Sequence, residues 1–246
     1  MKTRIFGRLL GVFALGALIG SGAGQVALAQ TTFLTGTTTT DVPAGSSVTC
    51  TFGSGGSCST SSISAVGNAE ASANTPNANL TAAEPGSVAD GDYCLYFEIS
   101  DDSNPSTPTG LTQLNSSVIG SASAYAMNVY SQIYEGTAPQ FVNINWPKVI
   151  TRCYSGVNGV DQFGSTGSSS TIPALANSAN TDEVYVAAMF SNTGTISNTT
   201  GDLGNTQVDQ TQWPSFAGDK TLGTCNATVG AEAFSNGTNG AGLTLK

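Results

Sequence analysis

Two glutamates and two tryptophans carry most of the chemistry this sequence offers. Glu98 sits in the run YCLYFEIS, and Glu135 follows Tyr130 and Tyr134. A glycosidase needs only two carboxyl groups facing each other across a cleft, one of them kept protonated by its surroundings. Trp146 or Trp213 would give a sugar ring an indole face to stack on. Composition therefore permits that reaction, although nothing in the spacing forces Glu98 and Glu135 onto one face. The chain has no histidine. That removes the usual Ser-His-Asp and Cys-His nucleophile systems, histidine-bound zinc or copper, and imidazole proton transfer. A Gly-rich loop ending in Lys-Ser or Lys-Thr is also absent from the sequence, so nucleotide hydrolysis has no support.

The acids that flank YCLYFEIS suggest calcium. Asp90 and Asp92 precede it; Asp101, Asp102 and Asn104 follow it. Calcium takes six to eight oxygens from closely spaced carboxylates, amides and carbonyls. An extended run between the two groups spans roughly 25–30 Å at about 3.3 Å per residue, so they predict two separate sites, each completed by another loop. The plainer reading is that these are turn residues at the ends of a strand. Calcium is the one cofactor the sequence suggests.

Five cysteines remain: Cys50, Cys58, Cys94, Cys153 and Cys225. An exported chain tends to pair its cysteines, and an odd count leaves one over. Cys50 and Cys58 flank the flexible loop TFGSGGS and form the first predicted pair; Cys153 with Cys225 is the second. Cys94 is then left as a small buried hydrophobe, or, if exposed, as a cross-link between subunits.

The elements that must position these residues begin with an N-terminal leader. Lys2, Arg4 and Arg8 precede an apolar stretch from Leu9 to Ile19, and Ala27-Leu28-Ala29 closes it, the order of a cleaved secretory signal over residues 1–29. The stretch is too short to span a bilayer, so no membrane insertion is predicted. The remaining chain holds four basic residues against sixteen acidic ones, a net charge of −12. Repulsion from phosphates then argues against nucleic acid as a partner.

Charged residues are only 9% of the chain, too few to furnish the exposed faces of long helices, whereas Thr, Val and Tyr between Gly-rich turns favour short strands. In YCLYFEIS, Tyr93, Leu95, Phe97 and Ile99 alternate as a core face against Cys94, Tyr96 and Glu98. SVIGSASAYAMNVYSQIYE fits a helical stripe or a strand, with β-branched and aromatic residues favouring the strand. QFVNINW, KVITRCY and DEVYVAAMF read as further strands, with shorter ones near Thr195, Leu222 and the C-terminal GLTL. Residues 67–90 read as a long loop with a helical turn near Leu80 to Ala83. The WP pairs at Trp146 and Trp213 echo one another without amounting to a repeat.

Together these predict an all-β protein, a single β-sandwich or jelly-roll-like domain over residues 46–246. Residues 30–45 precede it as a Thr-rich arm or first strand. The expected function is structural: a secreted cell-surface or matrix subunit whose arm, with Thr32, Phe33, Leu34 and Thr35 as anchors, adds a strand to the sheet of the next copy and so builds a filament. The competing expectation is a carbohydrate-active module that binds surface glycans or hydrolyses them through Glu98 and Glu135.

Overall fold

The computed structural model describes residues 49–50, 58–59, 63–101, 107–115, 119–121, 125–176, 184–222 and 228–246. They belong to two compact units that divide between Thr60 and Ser61. In the first unit, β1 (Thr49–Cys50) and β2 (Cys58–Ser59) form an antiparallel pair whose register sets Cys50 opposite Cys58. This pair forms a sheet of its own; the second unit begins at Ser61. The leader, the Thr-rich segment with Thr32 to Thr35, Asp102, Asn104 and Cys225 lie outside the described residues.

The second unit is built from strands, with no helix among its described residues. Its first half contains β3 (Ser64–Ser72), β4 (Ala78–Thr81), β5 (Tyr93–Ser100), β6 (Thr112–Gln113), β7 (Ile119–Ser121), β8 (Tyr125–Ile133), β9 (Gln140–Ile144) and β10 (Lys148–Ser155). Its second half contains β11 (Val160–Gly167), β12 (Thr171–Ile172), β13 (Val184–Phe190), β14 (Ser197–Asn198), β15 (Gly204–Asp209), β16 (Ser215–Thr221), β17 (Glu232–Ser235) and β18 (Asn239–Leu245). One large antiparallel sheet has the order β3-β10-β5-β8-β6, with β7 also paired to β8; the other has the order β11-β18-β13-β16-β15. Two small sheets, β4-β9 and β12-β17-β14, complete the unit.

The large sheets share a core. Leu95, Phe97, Ile99, Met127, Val129 and Ile150 from one meet Val186, Ala188, Phe190, Leu243 and Leu245 from the other. Face-to-face packing of this kind is consistent with a β-sandwich. Each large sheet comes from one contiguous half of the chain, whereas a jelly roll interleaves its strands between sheets. The outer faces are covered too: Leu80 and Phe141 of β4 and β9 pack on Cys94, Tyr96 and Val149, and Ile172 and Phe234 of β12 and β17 pack on Tyr185, Ala187 and Met189. Both faces of β5 are therefore buried, not one. Among the described residues the central strands β5, β10, β13 and β18 read as near-continuous buried runs. Gly240 and Gly242 in β18 belong to this packing, because a Cβ there would collide with Met189 and Tyr185 of the neighbouring strand.

The two halves have the same plan. β10 inserts between β3 and β5 as β18 inserts between β11 and β13, and β4 pairs β9 as β12 pairs β17. Even the irregularity recurs: the ladders β3–β10 and β11–β18 each shift register near the same end. The inward residues Leu95, Phe97 and Ile99 of β5 take the places of Val186, Ala188 and Phe190 of β13. By the same registers Arg152 corresponds to Leu243, Lys148 to Asn239, and Tyr125 to Trp213. The Trp-Pro echo is not part of this repeat, since Trp146 precedes β10 and Trp213 precedes β16, strands that do not correspond.

Part of the expected loop at 67–90 is strand: its first residues complete β3, and Ala78–Thr81 form β4, so Leu80 and Thr81 are extended where a helical turn was expected. Its Ala, Asn and Ser residues have little β-propensity of their own. The ladder to β10 overrides them, as propensity in sheets is largely set by neighbours. The ambiguous segment 117–135 is strand over Ile119–Ser121 and Tyr125–Ile133, as β7 and β8.

Candidate functional site

The first concentration of functional groups is a seam of charge between the large sheets. Lys148, fully buried at the start of β10, has its Nζ 2.6 Å from Asp209 Oδ2 and 3.2 Å from Glu70 Oε1, and donates to the carbonyls of Gln212 (3.0 Å) and Trp213 (3.1 Å). Four residues along the strand, Arg152 donates to Asp219 Oδ2 at 2.6 Å, to Tyr154 Oη at 3.0 Å and to the Asn205 carbonyl at 3.0 Å. Tyr154 and Asn205 donate in turn to the two oxygens of Asp219. The equal parity of Lys148 and Arg152 on one strand sends both inward, and β15 and β16 of the facing sheet meet them with Asp209 and Asp219. The corresponding positions in the other half hold Asn239 and Leu243, both uncharged. An ion pair put where its counterpart is hydrocarbon is not a gain in stability by itself, because desolvation offsets most of the attraction.

Glu70 and Asp209 lie side by side in this seam, both on Lys148 Nζ, close enough that each carboxyl perturbs the other. Burial and the neighbouring Asp209 push the Glu70 carboxyl up to about 7, against the pull of Lys148. Burial opposes ionisation of Asp209 as well, but Glu70, Lys148 and Thr211 hold its carboxyl well below the usual range. One proton is thus shared by two carboxyls, the pattern of a close acid pair. Between an ordinary 4.5 and about 7 the folded chain retains a proton on Glu70 that the unfolded chain has released. Stability contributed by this group therefore falls as pH rises through that window. The Glu70→Gln variant keeps a donor toward Asp209 and cannot ionise. It is expected to reduce the loss of unfolding free energy across that window by roughly 1–2 kcal/mol, a figure discounted because water reaches the pair. Urea unfolding at a series of pH values reads this difference, and identical pH profiles for the two proteins would refute the shared proton.

The second concentration is a cleft of about 740 Å³ at the Tyr93–Ile133 end of β5 and β8, lined by Tyr93, Thr109, Gly110, Thr112, Ser131, Gln132, Ile133, Glu135, Thr137, Ala138, Pro139 and Gln140. Its lining mixes hydroxyl and amide groups with the apolar Ile133, Ala138 and Pro139, and among the described residues it holds one carboxylate and no cation. Gln132 donates to Tyr96 Oη at 2.6 Å, and that hydroxyl donates to Glu84 Oε1 at 3.0 Å, so the amide at the cleft wall is held from beneath. Burial, opposed by the bond from Tyr96, raises the Glu84 carboxyl above its ordinary value.

The structure separates the residues that the sequence offered as a catalytic pair. Glu98 is fully buried, opposite Asn128 in the β5–β8 ladder, and accepts a bond from Asn128 Nδ2 at 3.1 Å. Glu135 opens into the cleft, seven residues beyond Asn128, which is roughly 20 Å or more along the strand. A glycosidase pair needs about 5–10 Å, so these two do not form one. The tryptophans are at the opposite end. Trp213 Nε1 donates to the Trp146 carbonyl at 2.9 Å, and the Trp213 ring meets Tyr125 edge-on at 4.6 Å. Both take left-handed backbone angles, with φ of 53° and 49°, a conformation that costs a non-glycine residue about 1–3 kcal/mol. Lys148 holds the Trp213 carbonyl just as Asn239 holds that of its counterpart Tyr125 at 2.9 Å.

Asp92 accepts a bond from Ala89 N at 2.9 Å and closes the turn before β5. Asp90 and Asp92 lie at one end of β5 and Asp101 at the other, as the sequence required. Among the described residues, one trio of ligand-type side chains converges, Glu84 with Cys94 and Cys153. Its two sulfurs are bonded to each other at 2.01 Å. This corrects the expected Cys153–Cys225 pair: Cys153 stands directly opposite Cys94 on the neighbouring strand, with Cα atoms 4.1 Å apart.

Sequence reasoning missed Glu70, Asp209 and Asp219. The one signal available was that two cations of equal parity in the apolar strand KVITRCY need carboxylates facing them. No family model, no curated protein and no solved structure matches this chain.

Proposed function

We propose that this is a secreted structural subunit of the cell surface or extracellular matrix, exported by residues 1–29, which assembles into filaments when its Thr-rich arm pairs with a sheet edge of the next copy. The observation that carries this reading is the flank formed by β3 and β15. Each is the edge strand of a large sheet, and β3 is nine residues long without the lysine or proline that commonly blunts such edges. Ser87 donates to the Val66 carbonyl at 2.8 Å and Pro85 lies over Gly67, so the covered part of the edge is its N-terminal half. From Asn68 to Ser72 the only ladder partner among the described residues is β10.

The charge inventory supports a role made of shape and edge contacts. All four basic residues beyond the leader are engaged with carboxylates of the same chain: Lys148 with Glu70 and Asp209, Arg152 with Asp219, Lys220 with Asp202 and Glu232, and Lys246 with Asp161. A strand from Thr32 to Thr40 would add backbone hydrogen bonds at the edge, with Phe33 and Leu34 as side-chain anchors. Head-to-tail addition of this kind propagates unless it closes into a ring.

Deletion of residues 30–41 is the test. The full mature chain is expected to sediment as a polymer and show filaments by electron microscopy. The deletion is expected to remain monomeric with an unchanged thermal midpoint. A full chain that stays monomeric, or a deletion that still assembles, would overturn the reading.

A further inference from the structure

We propose that the cleft at the Tyr93–Ile133 end of the first half is a binding site for a neutral glycan, independent of strand-mediated assembly. Three observations meet there. The first is size: about 740 Å³ lies within the range of roughly 300–1,000 Å³ typical of small-ligand sites. The second is chemistry. Thr109, Thr112, Ser131, Thr137, Gln132 and Gln140 present hydroxyl and amide groups, which both donate to and accept from sugar hydroxyls. Glu135 adds one acceptor. Among the described residues no lysine or arginine lines the space, so an anionic ligand would find no counter-charge there, and the acidic chain as a whole repels one.

The third observation comes from the internal repeat. Gln132 of β8 corresponds to Lys220 of β16, since Tyr93–Ile133 and Val184–Thr221 begin the equivalent ladders. In the second half Lys220 Nζ bridges Asp202 at 2.6 Å and Glu232 at 3.1 Å and sits 5.1 Å from the Tyr185 ring centroid. Ion pairs occupy the second half where the first half has a neutral amide beside open space. Gln132 is moreover held in place by Tyr96 and Glu84 behind it. A wall group fixed before the ligand arrives lowers the ordering cost of binding. Ile133, 62% exposed at the cleft, offers an apolar patch of the kind against which the C–H face of a sugar ring rests.

The test is a neutral-glycan array with the full mature chain, followed by calorimetric titration of the best glycan against the native protein and two variants. Thr112→Trp, at an exposed position of the short strand β6, fills the cleft. Gln132→Lys copies the second half and puts a cation at the wall. Each is expected to weaken binding at least tenfold, with the thermal midpoint and the assembly state unchanged. Failure of the array to show any neutral glycan, or binding that persists in Thr112→Trp, would overturn the proposal; the latter would place the sugar elsewhere, with Trp146 the first position to examine. Loss of binding in Gln132→Lys accompanied by a lowered thermal midpoint assigns that effect to misfolding, and Thr112→Trp then decides. Because filament formation is read separately, failure here leaves the assembly reading intact.

Discussion

Replacement of Arg152 by leucine is expected to lower the unfolding free energy by about 3–5 kcal/mol, the cost of leaving one member of a buried ion pair without its partner. Arg152 is 2% exposed and Asp219 6%, so water cannot take the place of the missing guanidinium. Asp219 would keep its bonds from Tyr154 and Asn205, and the Asn205 carbonyl would lose a donor. The repeat supplies an internal control, because leucine is the residue that β18 carries at the matching position, Leu243, and Ser131 is the counterpart of Asp219. The double variant Arg152→Leu/Asp219→Ser removes both charges and is expected to recover at least half of the loss. Guanidinium unfolding of the three proteins measures this. A double variant no more stable than Arg152→Leu would mean that the cost lies in lost packing of the arginine stem, not in an orphaned carboxylate.

The same comparison of halves explains what the sequence could show and what it could not. DEVYVAAMF and KVITRCY are legible as strands because β-branched and aromatic residues crowd them, and β5 and β8 likewise. SAVGNAEAS and VDQFGSTG are not, since alanine, glycine and asparagine fit a strand only when a neighbour's ladder holds them there, as β10 and β18 do. The repeat is invisible for a related reason. Packing requires inward residues that are apolar and of suitable volume, without fixing which, so Leu95, Phe97 and Ile99 can face Val186, Ala188 and Phe190 across one core. At outward and seam positions even polarity diverges: Cys94 against Tyr185, Arg152 against Leu243, Lys148 against Asn239. The only written echo, Trp-Pro, joins positions that do not correspond.

The functional groups were less legible still. Alternation along YCLYFEIS predicted one buried face, and Glu98 was then free to point toward solvent or a substrate. The small sheet β4–β9 buries Cys94 and Tyr96 on that second face, and Glu98 on the same face is fully buried against Asn128. Glu70 and Asp209 lie 139 residues apart in sequence, and a carboxyl pair made by stacking two sheets leaves no local spacing to find. The cleft, by contrast, forms where turns leave the ends of β5 and β8, and threonine and glutamine in such turns look like ordinary surface.

The bridge between Cys94 and Cys153 carries the other large expected effect. The two cysteines are separated by 59 residues and stand opposite each other on adjacent central strands, both fully buried. A crosslink of that span restricts the unfolded chain, and the chain-entropy relation assigns it about 4 kcal/mol. Cys94→Ala/Cys153→Ala is expected to lose roughly that amount, together with a smaller share for the sulfur volume removed from the cluster around Tyr96 and Val149. Two readings separate the contributions. If the bridge acts through the unfolded chain, the denaturant slope rises in the variant, because the uncrosslinked chain exposes more surface. If only packing is lost, the slope stays constant and stability falls by no more than about 2 kcal/mol. The strand pairing that brings the cysteines together is already complete without the bond, since seven residue pairs align β5 with β10; the variant is therefore expected to fold to the same sheets and to be less stable, not differently built.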